Sequence, residues 1–210
     1  TEFINTFFQP FDEHEISKKL SGKGKYQNIS QQDILADWEN RRLRGTIVHK
    51  EIEDFLNKVT TQRNENQLDL KSKQGISFLK NKCMNKENLL FSEVKICSEK
   101  LQLAGTIDLM IYNKKHNRIY LIDWKTNIQI KKKGYNKGIV FPATAIDDCS
   151  FNRYTLQLSI YQHILEEFYE AHIDGLYIAH LKNESYEIMK CEFKKDDVVN
   201  MLKSRIESNN

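Results

Sequence analysis

The sequence predicts an α/β fold, a central mixed β-sheet flanked by helices, with an N-terminal helical lobe. Three observations predict it. Apolar periodicity yields the order α–β–β–β–α–β–β–α, too interleaved for separate all-helix and all-strand layers. The second and third strands, LQLAGTIDLMIY (101–112) and RIYLIDWKT (118–126), are apolar on both faces, as strands covered on both sides are. The segment FNRYTLQLSIYQHILEEFYE (151–170) is an amphipathic helix able to cover such a face.

Taken in order, residues 1–29 are mixed and weakly periodic, and LSGKGKYQN reads as a loop. Ser30 followed by Asp33 is a helix start of capping-box type. Ile34, Trp38, Val48, Ile52, Phe55 and Val59 recur at helical spacing, with Gly45-Thr46 as a point of division into two helices. TTQRNENQLDLKSKQG reads as a polar connection, and GISFLKNKCM (75–84) as a short helix. Strands follow at 89–97, 101–112 and 118–126, the last two joined by the turn NKKHN. Residues 127–150 have no period and carry Lys131, Lys132, Lys133 and Lys137; a patternless stretch of this length is functional or disordered. After the 151–170 helix come strands at 175–181 and 186–193 and a closing helix at 195–207. The 210 residues are expected to form one domain, with a mainly helical part at 1–88 that carries His49 and a sheet core at 89–210.

Composition excludes little. The formal charge of +3 does not select a partner, so any basic surface must come from local clustering. No apolar run approaches the ~20 residues that span a bilayer, and no apolar signal peptide is present. Cys83, Cys97, Cys149 and Cys191 are scattered without a CxxC gap. They read as reduced thiols of an intracellular protein (cytoplasm, nucleoid or organelle), not a secreted one. The start at Thr1 is expected of a trimmed chain or an excised domain.

The chemistry is concentrated in two apolar strands that carry charges. In LIDWKTN, Asp123 and Lys125 project the same way, because side chains alternate along a strand. Asp108 interrupts the preceding strand, AGTIDLMI, and the two aspartates lie on consecutive strands joined by a short turn. Convergent carboxylates in a low-dielectric place repel unless a cation separates them. Mg²⁺ or Mn²⁺ suits oxygen ligands of this kind, and Lys125 beside it would hold a water or offset phosphate charge. The competing reading is a structural Asp–Lys pair beside a hydrogen-bonded aspartate. His49, in RGTIVHKEIEDFL, reads either as a packed histidine or as a ligand whose ring Glu53, one turn on, orients. Arg153, Gln157 and Tyr161 share one helical stripe, either a solvated flank or a set of phosphate and base contacts. Glu93 opens the first strand and either joins the acidic cluster or is exposed.

These motifs together resemble the PD-(D/E)XK nucleases. GTIDLMIY…LIDWKT is similar to their core signature, with Asp108 as the D and Asp123-Trp124-Lys125 as the (D/E)XK. RGTIVHKEIEDFL resembles the GTxxHxxIE helix of the RecB-like branch, LQLAGTIDL its GxxD strand, and LQLSIY its QxxxY motif. The resemblance spans about residues 30 to 165 in the family's order. It implies a restriction-endonuclease-like core and metal-dependent hydrolysis of DNA phosphodiesters, most often from an end and on linear or single-stranded DNA. It implies Mg²⁺ or Mn²⁺ held by His49, Asp108, Asp123 and the Trp124 backbone carbonyl. Asp108, Asp123 and Lys125 would be catalytic, Gln157 and Tyr161 would line the substrate channel, and Glu53 and Glu93 would support the ligands. The cysteine spacing departs from that of the members carrying an iron–sulfur cluster, so none is expected. A helicase or recombination partner fits the family. A site-specific or structure-specific endonuclease, and a silent nucleic-acid-binding module on the same fold, remain the alternatives.

Overall fold

The structure, a computed structural model, describes residues 2–58 and 65–208. The weakly periodic N-terminus forms two helices, α1 (Glu2–Asn5) and α2 (Glu13–Leu20), the second capped by Asp12, whose side chain accepts the Glu15 N–H at 2.9 Å. Helix α3 (Gln31–Leu56) begins at the expected cap: the Ser30 hydroxyl accepts the Asp33 N–H at 3.1 Å.

Helix α3 runs unbroken through Gly45-Thr46, where the sequence suggested a division. Gly45 is there for closeness. A Cβ on it would stand 3.2 Å from Thr126 Oγ1, so the missing side chain lets α3 cross the end of a central strand. Val59 and residues 60–64 of the polar connection lie outside the described residues. Helix α4 (Leu70–Phe78) starts earlier than residue 75, because Asp69 caps it through the Lys71 N–H at 2.8 Å. Its polar first turn hid it. A π-helical turn, Leu79–Cys83, extends it.

Strands β1 (Asn88–Ser98), β2 (Leu103–Asn113) and β3 (Arg118–Lys125) form an antiparallel meander. Helix α5 (Ser150–Phe168) crosses back to β4 (Ile173–Leu181), which pairs parallel with β3. Strand β5 (Tyr186–Cys191) pairs antiparallel with β4, and α6 (Lys195–Ser208) follows. The result is a five-stranded mixed sheet in the order β1-β2-β3-β4-β5.

Helices cover both faces. On one, α1, α5 and α6 bury Ile107, Leu121 and Ile178; on the other, α3 and α4 bury Leu109, Ile122, Trp124 and Ala179. Strand β3 alternates between these cores, so Leu121 and Asp123 look toward α5 while Ile122 and Trp124 look toward α3 and α4. The Trp124 ring is locked edge-on against Phe78, centroids 5.8 Å apart. No helix of the described residues is long and apolar enough to cross a membrane.

The 127–149 connection closes on itself. Lys137 bridges to Asp147, Gly138 N–H reaches the Ile146 carbonyl at 3.0 Å, and Asp148 N–H reaches Asn136 at 2.8 Å. Ile139 N–H ties the loop to the Phe7 carbonyl at 2.8 Å.

Candidate functional site

The site lies where β2 and β3 part. Their ladder ends at the pair Leu109↔Ile122. The next residue of β2, Asp108, has no backbone partner on β3; its Oδ2 instead accepts the Trp124 N–H at 2.8 Å. On the other side of β2, the ladder to β1 skips Glu93, which adopts a left-handed φ of 51°. That backbone state is uncommon for a non-glycine residue and re-aims the side chain, as bulges beside functional sites do.

Helix α3 delivers His49 to the same point. Its Nδ1 stands 3.6 Å from Asp108 Oδ1. One ligating atom each from His49, Glu93 and Asp108 fall within 4.8 Å of one another. Burial works against the imidazolium of His49, but the Asp108 carboxylate outweighs it and raises the pKa. Glu93 is raised by burial and then by the Asp108 charge, so the group is short of positive charge.

Asp123 stands beside this group, turned toward α5. It is 3% exposed. Gln157 Nε2 donates to its Oδ1 at 3.3 Å. Lys125 Nζ lies 2.7 Å from its Oδ2 and is its counter-charge. Burial pushes the Asp123 carboxyl up to about 6 against the pull of Lys125. Burial works to lower Lys125, and the Asp123 and Asp108 carboxylates overcome it. The Lys125 ammonium also sits 4.4 Å over the Tyr154 ring.

Most of the residues singled out in the sequence converge here. Glu93, only an optional member of the cluster, is in its tightest group, whereas Asp123 is drawn aside by Lys125 and Gln157. Gln157 Nε2 also donates to Tyr161 Oη at 3.2 Å, and the Tyr161 ring occupies the space left by Gly105: a Cβ there would be 2.5 Å from its Cε1. Trp124 brings its N–H to Asp108.

Two residues stand differently from their expected roles. Arg153, expected as a substrate contact, is engaged within the chain: it clasps Asp148 at 2.8 and 3.0 Å, Asn5 Oδ1 at 3.0 Å and the Gln9 carbonyl at 3.3 Å, and lies over the Phe8 ring. Glu53 does not orient His49, because Lys50 Nζ holds its carboxylate at 3.0 Å and His49 turns to Asp108. Sequence reasoning also missed Tyr154, whose Oη donates to Asn127 Oδ1 at 3.0 Å. The signal was present: Tyr154, Gln157 and Tyr161 fall at i, i+3, i+7, the stripe that faces the site, whereas Arg153 lies one position off it.

A cleft of about 1220 Å³ opens from His49 and Glu93 along α3. Lys25, Arg41, Arg42, Arg44 and Lys71 line it, and residues 126–129 form its other wall. Asp37 and Glu39 pair with Arg41 and Arg42, which are still half exposed.

No family model matches the chain, and no curated protein matches it. Among solved structures it is similar to SSO0001, at 13% identity and a TM-score of 0.33, over 80% of this chain and 87% of that one.

Proposed function

We propose that the chain is a metal-dependent DNA nuclease on a restriction-endonuclease-like core, related to the RecB-like PD-(D/E)XK enzymes and acting from DNA ends. The observation that carries the reading is the meeting of His49, Glu93 and Asp108 at the fork of two central strands, beside the buried carboxylate of Asp123. One imidazole and several carboxylate oxygens are the donor set of Mg²⁺ or Mn²⁺ rather than of a thiophilic metal. His49, Asp108 and Asp123 would hold the ion with the Trp124 carbonyl, and Glu93 stands within the same group. When bound, such an ion lowers the pKa of a water and offsets charge on a phosphate.

The chain's own residues do the positioning. Gln157 fixes the Asp123 carboxylate from α5, and Tyr161 fixes Gln157. Lys125 is a preorganised positive charge in a largely dry place, where it acts most strongly on a developing phosphorane. Tyr154 beneath it keeps the ammonium from folding away from the site. The basic cleft leads a polyanion to these groups.

The test offers linear and circular, single- and double-stranded DNA with Mg²⁺ or Mn²⁺, to the parent and to Asp123→Ala and Lys125→Ala. Degraded linear DNA, intact circles and inactive variants are expected. Cut circles make the chain an endonuclease. DNA that is bound but never lost with metal makes it a binding module, and variants as active as the parent overturn the site.

A further inference from the structure

Lys71 has no part in the chemistry above, and its surroundings are hard to explain structurally. It lies in the first turn of α4, 9% exposed, on the wall of the cleft that holds His49. Its Nζ donates to the carbonyl of Thr126, the residue directly after Lys125. The carboxylate whose charge acts to raise its pKa is Asp69. Asp69 is occupied: Arg44 grips it at 2.7 and 2.9 Å, and the Lys71 N–H takes Oδ1 at 2.8 Å.

A neutral side chain would satisfy the Thr126 carbonyl without burying a charge. Instead the protein sets a largely covered lysine on the cleft wall beside further cations. Burial lowers the Lys71 pKa, and the Arg44 and Arg41 charges lower it further, with Asp69 only partly opposing them. Such a place is stabilised by an anion. The ammonium has three N–H groups and one carbonyl acceptor, which leaves donors for a ligand.

Its position relative to the metal centre narrows the anion. Arg44 precedes His49 by five positions on α3, which is about 7.5 Å along a helix, and Thr126 continues the strand that carries Asp123 and Lys125. Gly45 allows α3 to approach Thr126 this closely. Lys71 therefore lies on the same cleft as His49 and Glu93, at the end of the strand that carries Asp123 and Lys125.

We propose that Lys71, seated on the Thr126 carbonyl and flanked by Arg44, is the cation of a phosphate-binding subsite that takes the nucleic-acid phosphate next to the scissile one. The proposal rests on the nuclease reading for the identity of the ligand. Its experiment is read without metal, so the two fail separately.

Binding of short single-stranded DNA, with a 5′-phosphate or a 5′-hydroxyl, is measured in EDTA by fluorescence anisotropy across a salt series. The parent, Lys71→Gln and Lys71→Arg are compared at full length, with melting temperatures recorded. Lys71→Gln is expected to bind about tenfold more weakly, with a salt slope lower by about 0.7. Lys71→Arg is expected to restore most of both, which a purely structural lysine would not do. A loss confined to the 5′-phosphorylated strand identifies a terminal monoester; equal losses identify an internal diester. If Lys71→Gln loses its fold, Lys71→Met, which keeps the aliphatic stem, takes its place. Unchanged affinity and salt slope, or a parent that binds no DNA, overturn the subsite. A parent that binds through Lys71 but never cuts with Mg²⁺ retains the subsite and removes the nuclease.

Discussion

Asp108 Oδ2 accepts the backbone N–H of Trp124 at 2.8 Å, across the gap where β2 and β3 stop pairing. One carboxylate therefore does two things. Its Oδ2 closes the fork by replacing a ladder bond, and its Oδ1 faces His49 at 3.6 Å. Asp108 ties His49 of α3 to the strand that carries Asp123 and Lys125.

Structure and chemistry at Asp108 should therefore separate by substitution. Asp108→Asn keeps an acceptor for the Trp124 N–H but loses a charged ligand; Asp108→Ala loses both. Both variants should lose metal-dependent hydrolysis by about a hundredfold or more. Only Asp108→Ala should be much less stable without metal, by about 1–3 kcal/mol for the orphaned buried N–H. Mn²⁺ should raise the melting temperature of the parent and not that of Asp108→Asn. Urea denaturation in EDTA and a Mn²⁺ melting series check this; equal stability of the two variants would remove the closing role.

Gly105 and Tyr161 give a second test. The ring fills the space where a side chain on Gly105 would be, at 2.5 Å from a built Cβ. Gly105→Ala should cost about 1–3 kcal/mol by overpacking and should displace Tyr161, and with it Gln157 from Asp123. In a Tyr161→Ala background the same change should be nearly neutral. A double-mutant cycle by urea denaturation reads the coupling, and additive effects would mean that the ring moves aside freely.

The sheet and the carboxylates were legible in the sequence because apolar strands interrupted by Asp108, Asp123 and Lys125 contrast sharply with their setting. Gly45 misled, since a helix-breaking residue and a close-approach residue look alike until the crossing strand is known. Glu93 was underrated because its direction depends on a left-handed backbone state that no residue type announces. Arg153 and Tyr154 both fit a stripe with Gln157 and Tyr161, at i, i+4 and at i, i+3, and spacing alone does not choose between two neighbours that point about 100° apart. Lys71 was invisible, because its burial arises from α3, α4 and the end of β3 together.

Arg153 should behave as a clasp and not as a DNA contact. Arg153→Ala frees Asp148 and releases the segment around Asn5, Phe8 and Gln9 from α5. A loss of about 2 kcal/mol is expected, since a half-buried ion pair and two further acceptors go together. Below the melting temperature, the KM for DNA should stay within about threefold of the parent, a difference well under 1 kcal/mol. A tenfold rise in KM with unchanged stability would restore the substrate role.

Asp69, the cap of α4, makes stability depend on pH in acid. Burial works to raise its pKa, but the Arg44 guanidinium and the Lys71 N–H outweigh it, so the folded value falls below 3.8. A carboxyl with a depressed folded pKa contributes stability that is full above its unfolded value and is lost as pH falls through the folded one. Asp69→Ala should therefore cost about 1–2 kcal/mol near neutrality, from the lost α4 cap and the Arg44 pair. The difference between parent and variant should hold steady between about pH 7 and 5 and shrink by about pH 3, where the unfolded chain takes up the proton first. Urea denaturation of both proteins across that range measures it. A gap that stays constant to pH 3 would mean that the charge on Asp69 contributes nothing and that its hydrogen bonds to α4 act alone.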